Sequence, residues 1–137
     1  MIEVALSVAM MSIIFGMSIP MYRTFAIRNN LDITVNQIVQ SLRRAQTLAQ
    51  VGDGDTSWGV HVGVGSILIY KGASYATRDV TFDEDTSIPT NIVHSGLQDV
   101  LFSKVTGMPQ STGTFILTSV SSETRNVTIN QKGMVEY

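Results

Sequence analysis

The first twenty-two residues, MIEVALSVAMMSIIFGMSIPMY, form an apolar run interrupted by one charge, Glu3. About 20 such residues cross a bilayer as a helix. A carboxylate inside such a segment costs about 2.5 kcal/mol or more unless it finds a partner, so Glu3 is a candidate functional group. A secretory signal peptide would carry a basic start, a shorter apolar core and a small-residue cleavage site, yet no Lys or Arg precedes Arg23. A plain membrane anchor leaves Glu3 without a task, and 137 residues are too few to bury such a helix in a core. What fits is a helix that sits first in a membrane and then packs against copies of itself.

Beyond Tyr22 the pattern changes and the helix is expected to continue. Ile27, Leu31, Val35, Ile38, Leu42, Ala45 and Leu48 or Ala49 recur at steps of three and four, which draws one apolar stripe on a helix. The other faces carry Arg28, Asn29, Asp32, Asn36, Gln40, Arg43 and Arg44, and no Gly or Pro falls between Met21 and Val51. A helix of about fifty residues is about 75 Å long, far longer than the domain it could belong to. Residues 1–22 should therefore project as a transmembrane or filament-core half. Residues 23–50 should lay the stripe, with Leu31, Ile38 and Leu42 at its centre, on a globular head formed by residues 51–137. Pro20 follows Gly16 by four residues, so it removes one helical hydrogen bond and presses on the Gly16 carbonyl; Gly16 and Pro20 mark an expected break.

From Gly52 onward Gly, Asp, Ser and Thr separate short alternating stretches. Trp58 to Val64 and Ile67 to Tyr70 suggest a hairpin turning at about Gly63 to Gly65. Further strands are expected near residues 80–82, 91–94, 100–104, 114–118, 125–130 and 134–137. With no second helical pattern between them the sheet should be antiparallel, an α+β fold in which its apolar face covers the helix stripe. The chain has no Cys, so no disulfide can assist this small core.

No catalytic constellation stands out, and no metal site or cofactor is expected. His61 and His94 lie in strand-like segments, and without Cys few zinc ligands are available. Asp53, Asp55 and Ser57 imitate the start of a calcium loop, but its twelfth position is Val64. Asp83, Glu84 and Asp85 are expected in a solvated turn, and Asn126-Val127-Thr128 matches a glycosylation sequon inside an expected strand. The charge is unevenly divided: residues 23–50 hold four Arg against Asp32, whereas residues 51–137 hold five Lys or Arg against nine Asp or Glu. An acidic head with scattered basic residues argues against nucleic acid as a partner.

Taken together, Ile2-Glu3-Val4, the apolar run, Pro20, the amphipathic helix and the β-rich tail resemble type IV pilins and pseudopilins. SLRRAQTLAQ (Ser41 to Gln50), WGVHV (Trp58 to Val62), Phe102, Gly107-Met108-Pro109, Gly113 to Leu117, and Arg125 to Asn130 followed by Lys132-Gly133-Met134-Val135 are similar to the GspH/FimT-like branch. The resemblance implies that Glu3 is the family's assembly carboxylate and Pro20 its helix-breaking proline. It places the mature N-terminus close to Met1, with the carboxylate two positions earlier than the family's usual fifth. Arg23 and Arg28 alone would hold the head inside the cell; a basic leader of the family's kind would reverse this.

The expected function is that of a structural subunit of a type IV pilus or related pseudopilus. Its implied partners are copies of itself, other pilins or pseudopilins, the inner-membrane assembly platform, and prepilin peptidase before maturation. Its implied locations are the inner membrane and then an extracellular pilus or periplasmic pseudopilus. The alternatives are a minor FimT-like tip subunit that binds DNA during uptake and a minor pseudopilin of a type II secretion system.

Overall fold

The computed structural model describes the backbone of residues 1–137 and the side chains of all but residues 17–21 and 23. Helix α1 runs Ile2–Val51 and ends where the stripe ends. Gly52 stops it in the left-handed conformation, φ 72°, its N–H donating to the Ala49 carbonyl, the usual glycine solution at a helix C-terminus. The same carbonyl accepts from the Val105 N–H at 2.9 Å, so a head loop helps to close the helix end. In the lone chain α1 runs on through Gly16 and Pro20; the Pro20 side chain lies outside the described residues, and the expected break stays a matter for the assembled state.

Eight strands follow: β1 Trp58–Val62, β2 Ser66–Lys71, β3 Asp79–Ser87, β4 Ile92–Gly96, β5 Asp99–Phe102, β6 Gly113–Ser119, β7 Thr124–Ile129 and β8 Val135–Glu136. All ladders are antiparallel, as expected. The single sheet of the sequence reading is corrected to two four-stranded sheets, ordered β3-β2-β1-β5 and β4-β6-β7-β8. The chain changes sheet three times, between β3 and β4, between β4 and β5, and between β5 and β6; the second change falls at Leu97 and Gln98. The Leu97 N–H donates to Thr114 in the second sheet, while the Gln98 carbonyl accepts from Val62 in the first. Gly96, at φ 85°, precedes the switch, and a β-carbon there would overlap the Thr114 carbonyl oxygen. Only glycine meets both demands.

A second correction concerns Asp83, Glu84 and Asp85, which lie within β3 rather than in a turn. Two of the three charges are matched from outside the strand. The Arg44 guanidinium donates twice to Glu84, at 2.6 Å each, and Arg78 donates to Asp83 at 2.9 Å.

The apolar stripe of α1 lies in the core. Leu31, Ile38, Leu42, Ala45 and Ala49 are fully buried, and Val39 and Thr34 widen the contact. The Thr34 hydroxyl donates to the Asn30 carbonyl at 2.8 Å, which lets a polar side chain sit at the seam. From the first sheet Trp58, Val60, Val62, Ile67, Val100 and Phe102 join the core, and from the second Ile92, Phe115, Leu117, Val127 and Ile129. The helix thus closes both sheets at once.

Candidate assembly surface and a pocket in the head

The N-terminal half of α1 stands clear of the head. Residues 1–16 are all exposed, among them Ile2, Val4, Leu6, Val8, Met10, Ile13 and Phe15. An apolar surface of this extent on a lone chain marks a membrane or protein contact. Glu3 lies in the first turn of the helix. Among the described residues it makes no ion pair, and Met1 beside it is fully exposed. The Ser7 and Ser12 hydroxyls donate to the carbonyls of Glu3 and Val8, both at 2.8 Å, so each is satisfied within its own helix. Among the described residues no helix is long and apolar enough to cross a membrane; residues 17–21 of the apolar run are not among them.

Basic stem and acidic head are joined by ion pairs. Arg28 donates to Glu123 at 2.8 Å, Arg44 to Glu84, and Arg125 of the head to Asp32 of the stem at 3.1 Å. All are partly exposed, so each contributes at most about 1 kcal/mol. Their effect is orientation, because they hold the helix in one register against β3 and β7. Lys104 pairs with Asp55 and, through that hydrogen bond first, holds its carboxyl below the usual carboxylate range. Asp53 offers its carbonyl to the Trp58 indole N–H at 2.9 Å, so this loop is used to seat the tryptophan. Asn126 of the sequon lies in β7, where Val127 points into the core.

The sequence motifs at the chain's far end serve the helix. Gly107, φ 62°, is buried where a β-carbon would strike Gln50, and its carbonyl accepts from the Gln46 amide at 3.1 Å. Gly133, φ 78°, meets the same Gln46 side chain. Both glycines let a head loop reach the helix end.

A cluster that sequence reasoning missed lies on the outer face of the first sheet, away from the helix. Gly59 pairs with Tyr70 across β1 and β2, and the Tyr70 ring occupies the space a β-carbon at Gly59 would need. His61 donates through Nδ1 to Asp99 at 2.9 Å and stacks on Tyr75, ring centroids 3.9 Å apart. Tyr75 meets the edge of Tyr70 at 5.8 Å, and the Arg78 guanidinium lies 4.3 Å from its centroid. The segment between β2 and β3 is folded down over the sheet by these contacts. A cavity of about 340 Å³ lies elsewhere, between Asp32, Val35 and Arg125, where the stem meets β7. A second, of about 360 Å³, is lined by Tyr70, Tyr75, Asp99, Leu101 and Ser111. His94, on β4, has a buried Nε2 without a partner, and burial pushes its pKa down, helped by His61.

Tyr70 is 1% exposed, and burial first, then the Asp99 charge, push its pKa up to about 12 from 10.0. Between those values the unfolded chain releases this proton while the folded chain keeps it. Stability should therefore fall as pH rises from about 10 to about 12. An absorbance titration of the folded protein should show a late tyrosine step near pH 12, and Tyr70→Phe should remove it. A late step that survives Tyr70→Phe, or none in the unaltered chain, would contradict it.

No family model and no curated relative matches the sequence. A search of solved structures finds the minor pseudopilin EpsH from the type 2 secretion system of Vibrio cholerae, with a TM-score of 0.57 at 11% identity, covering 78% of this chain and 94% of that one. At that identity the likeness is one of fold. The chain has a pilin-like fold, a long N-terminal helix packed on antiparallel sheets.

Proposed function

We propose that this chain is a structural subunit of a type IV pilus or related pseudopilus, assembled through its N-terminal helix. The observation that carries this is the exposed apolar surface of residues 1–16, standing off a head that is closed without it. A filament gives such a surface a place, with the helices packed at the centre and the heads outside. Before assembly the run through Tyr22 rests in the inner membrane, where a prepilin peptidase and an assembly platform act on it. Glu3 and Met1 lie at the packing end, and the helix opens between Gly16 and Pro20 as neighbouring chains pack. Within this reading a minor pseudopilin of a secretion system is favoured by the likeness of fold to EpsH over 78% of the chain. A helical reconstruction of filaments from the source organism tests it. The chain should be in the map with residues 1–16 in the interior, and unbroken helical hydrogen bonding across residues 8–25 would remove the proposed opening.

A DNA-binding tip subunit fits the charges less well. Arg28, Arg44, Arg78, Lys104 and Arg125 are each committed to a carboxylate. Among the described residues Arg43, Lys71 and Lys132 remain, on the helix, on β2 against the Phe82 ring, and in the β7–β8 turn, so they form no run in the sequence. Non-specific DNA binding rests on clustered phosphate contacts, with dissociation constants of about 10⁻⁴ to 10⁻⁶ M. The full chain in detergent should give no salt-sensitive binding at about 150 mM salt. Micromolar binding lost on changing Lys104, Arg125 or Lys132 would reverse the order of the two readings.

A further inference from the structure

The outer-face cavity beside Tyr70 is built unlike the rest of the head surface. Its volume, about 360 Å³, lies within the range of small-ligand sites, roughly 300 to 1,000 Å³. Two of its polar groups are unspent. The Tyr70 hydroxyl belongs to a side chain 1% exposed, lines the cavity, and has no hydrogen-bond partner among the described residues. Asp99 is held by His61 through one oxygen only, its side chain remains 45% exposed, and no Arg or Lys reaches it. The neighbouring Arg78 is already matched by Asp83. The cavity therefore offers a partly exposed carboxylate that no Lys or Arg among the described residues pairs with, against aromatic walls.

We propose that this cavity receives a basic side chain, lysine or arginine, from another polypeptide. Its ammonium or guanidinium group lies between Asp99 and the Tyr70 hydroxyl. Carboxylate with aromatic rings is the pairing that selects organic cations over neutral groups. The chain already uses this chemistry once at the same wall, where the Arg78 guanidinium rests against Tyr75 and bonds to Asp83. His61 positions the site, since its hydrogen bond fixes Asp99 and its stack fixes Tyr75. The site lies on the sheet face away from the helix, so it is independent of the assembly reading.

The test is a titration of the full chain in detergent, followed by the NMR signals of the Tyr70 and Tyr75 rings. The probes are N-acetyl-arginine methylamide, N-acetyl-lysine methylamide and, as the neutral counterpart of arginine, N-acetyl-citrulline methylamide. Saturable shifts are expected with arginine or lysine, dissociation constants being on the order of millimolar for a single side chain. Citrulline should bind at least about tenfold more weakly. Asp99→Asn keeps an acceptor for His61 while removing the charge, so it should preserve the spectrum of the remaining head and abolish the shifts. Tyr70→Phe should weaken them. Equal response to citrulline, shifts that survive in Asp99→Asn, or no response to either cation would overturn the proposal. Which of the two cations shifts the rings more identifies the side chain.

Discussion

Replacing Glu3 by alanine is expected to leave the head's fold and melting temperature unchanged and to abolish filament formation. The first half follows from position, because Glu3 lies in an exposed helix turn remote from every buried residue of the core. The second follows from what assembly does to that position. Packing apolar helices side by side removes the start of α1 from water, and an N-terminal amine buried beside it without a counter-charge would be costly. Breaking a buried ion pair by deleting one member costs about 3 to 5 kcal/mol, which lowers an association constant by about a hundredfold or more. We propose that Glu3 of one subunit pairs with the N-terminal amine of the next and so sets the axial register. Glu3→Gln keeps the shape but loses the charge, and it should fail in the same way. Wild-type filament yield from either variant, measured by sedimentation of sheared filaments, would refute the pairing.

Ion pairs of the stem do a different job. Arg28, Arg44 and Asp32 are spent within the chain, so two of the stem's four arginines, and its one acid, are compensated by the head. This weakens any reading in which the stem's arginines serve an external polyanion. It also explains how β3 carries three consecutive acidic residues through a strand. Arg44 meets one from the helix, and Arg78 meets another from the preceding loop.

That compensation marks where sequence reading reached its limit. Strand positions were legible because Val60, Val62, Ile67 and Ile69 alternate with residues of the outer face, and because Gly and Asp punctuate the chain. The helix end was legible in Val51-Gly52. By contrast, Asp83-Glu84-Asp85 reads locally as a turn, since the arginine that makes Glu84 tolerable in a strand is 40 residues away. Two sheets could not be told from one, because the switch at Gly96 to Gln98 depends on which edge Thr114 offers. The head pocket was missed for the same reason. His61, Tyr70, Tyr75 and Asp99 are scattered along the sequence, and only the pairings of Gly59 with Tyr70 and of His61 with Asp99 bring them to one face. A glycine at an alternating strand position was the one local hint that a large ring lay opposite.

Leu42→Ala should lower the melting temperature of the full chain in detergent by about 10 °C, the largest effect expected from a single truncation of the helix stripe. Leu42 is fully buried, within a cluster that draws on both sheets. Removing its branched carbons forfeits their transfer energy and leaves a cavity that two ladders and a helix cannot collapse around, at a cost of about 2 to 5 kcal/mol. A small domain has about 5 to 15 kcal/mol in total, so a large share would be lost. Leu31→Ala and Ile38→Ala, equally buried, should follow in the same range. Ile33→Ala provides the contrast on the same helix. Ile33 is 44% exposed, and its truncation should change stability by no more than about 0.5 kcal/mol. If Leu42→Ala melted like Ile33→Ala, the stripe would not complete the core, and the sheets would have to close on each other without the helix. Because the substitution is far from residues 1–16, filaments formed below the lowered melting temperature should still assemble, which separates loss of the head's stability from loss of the packing end.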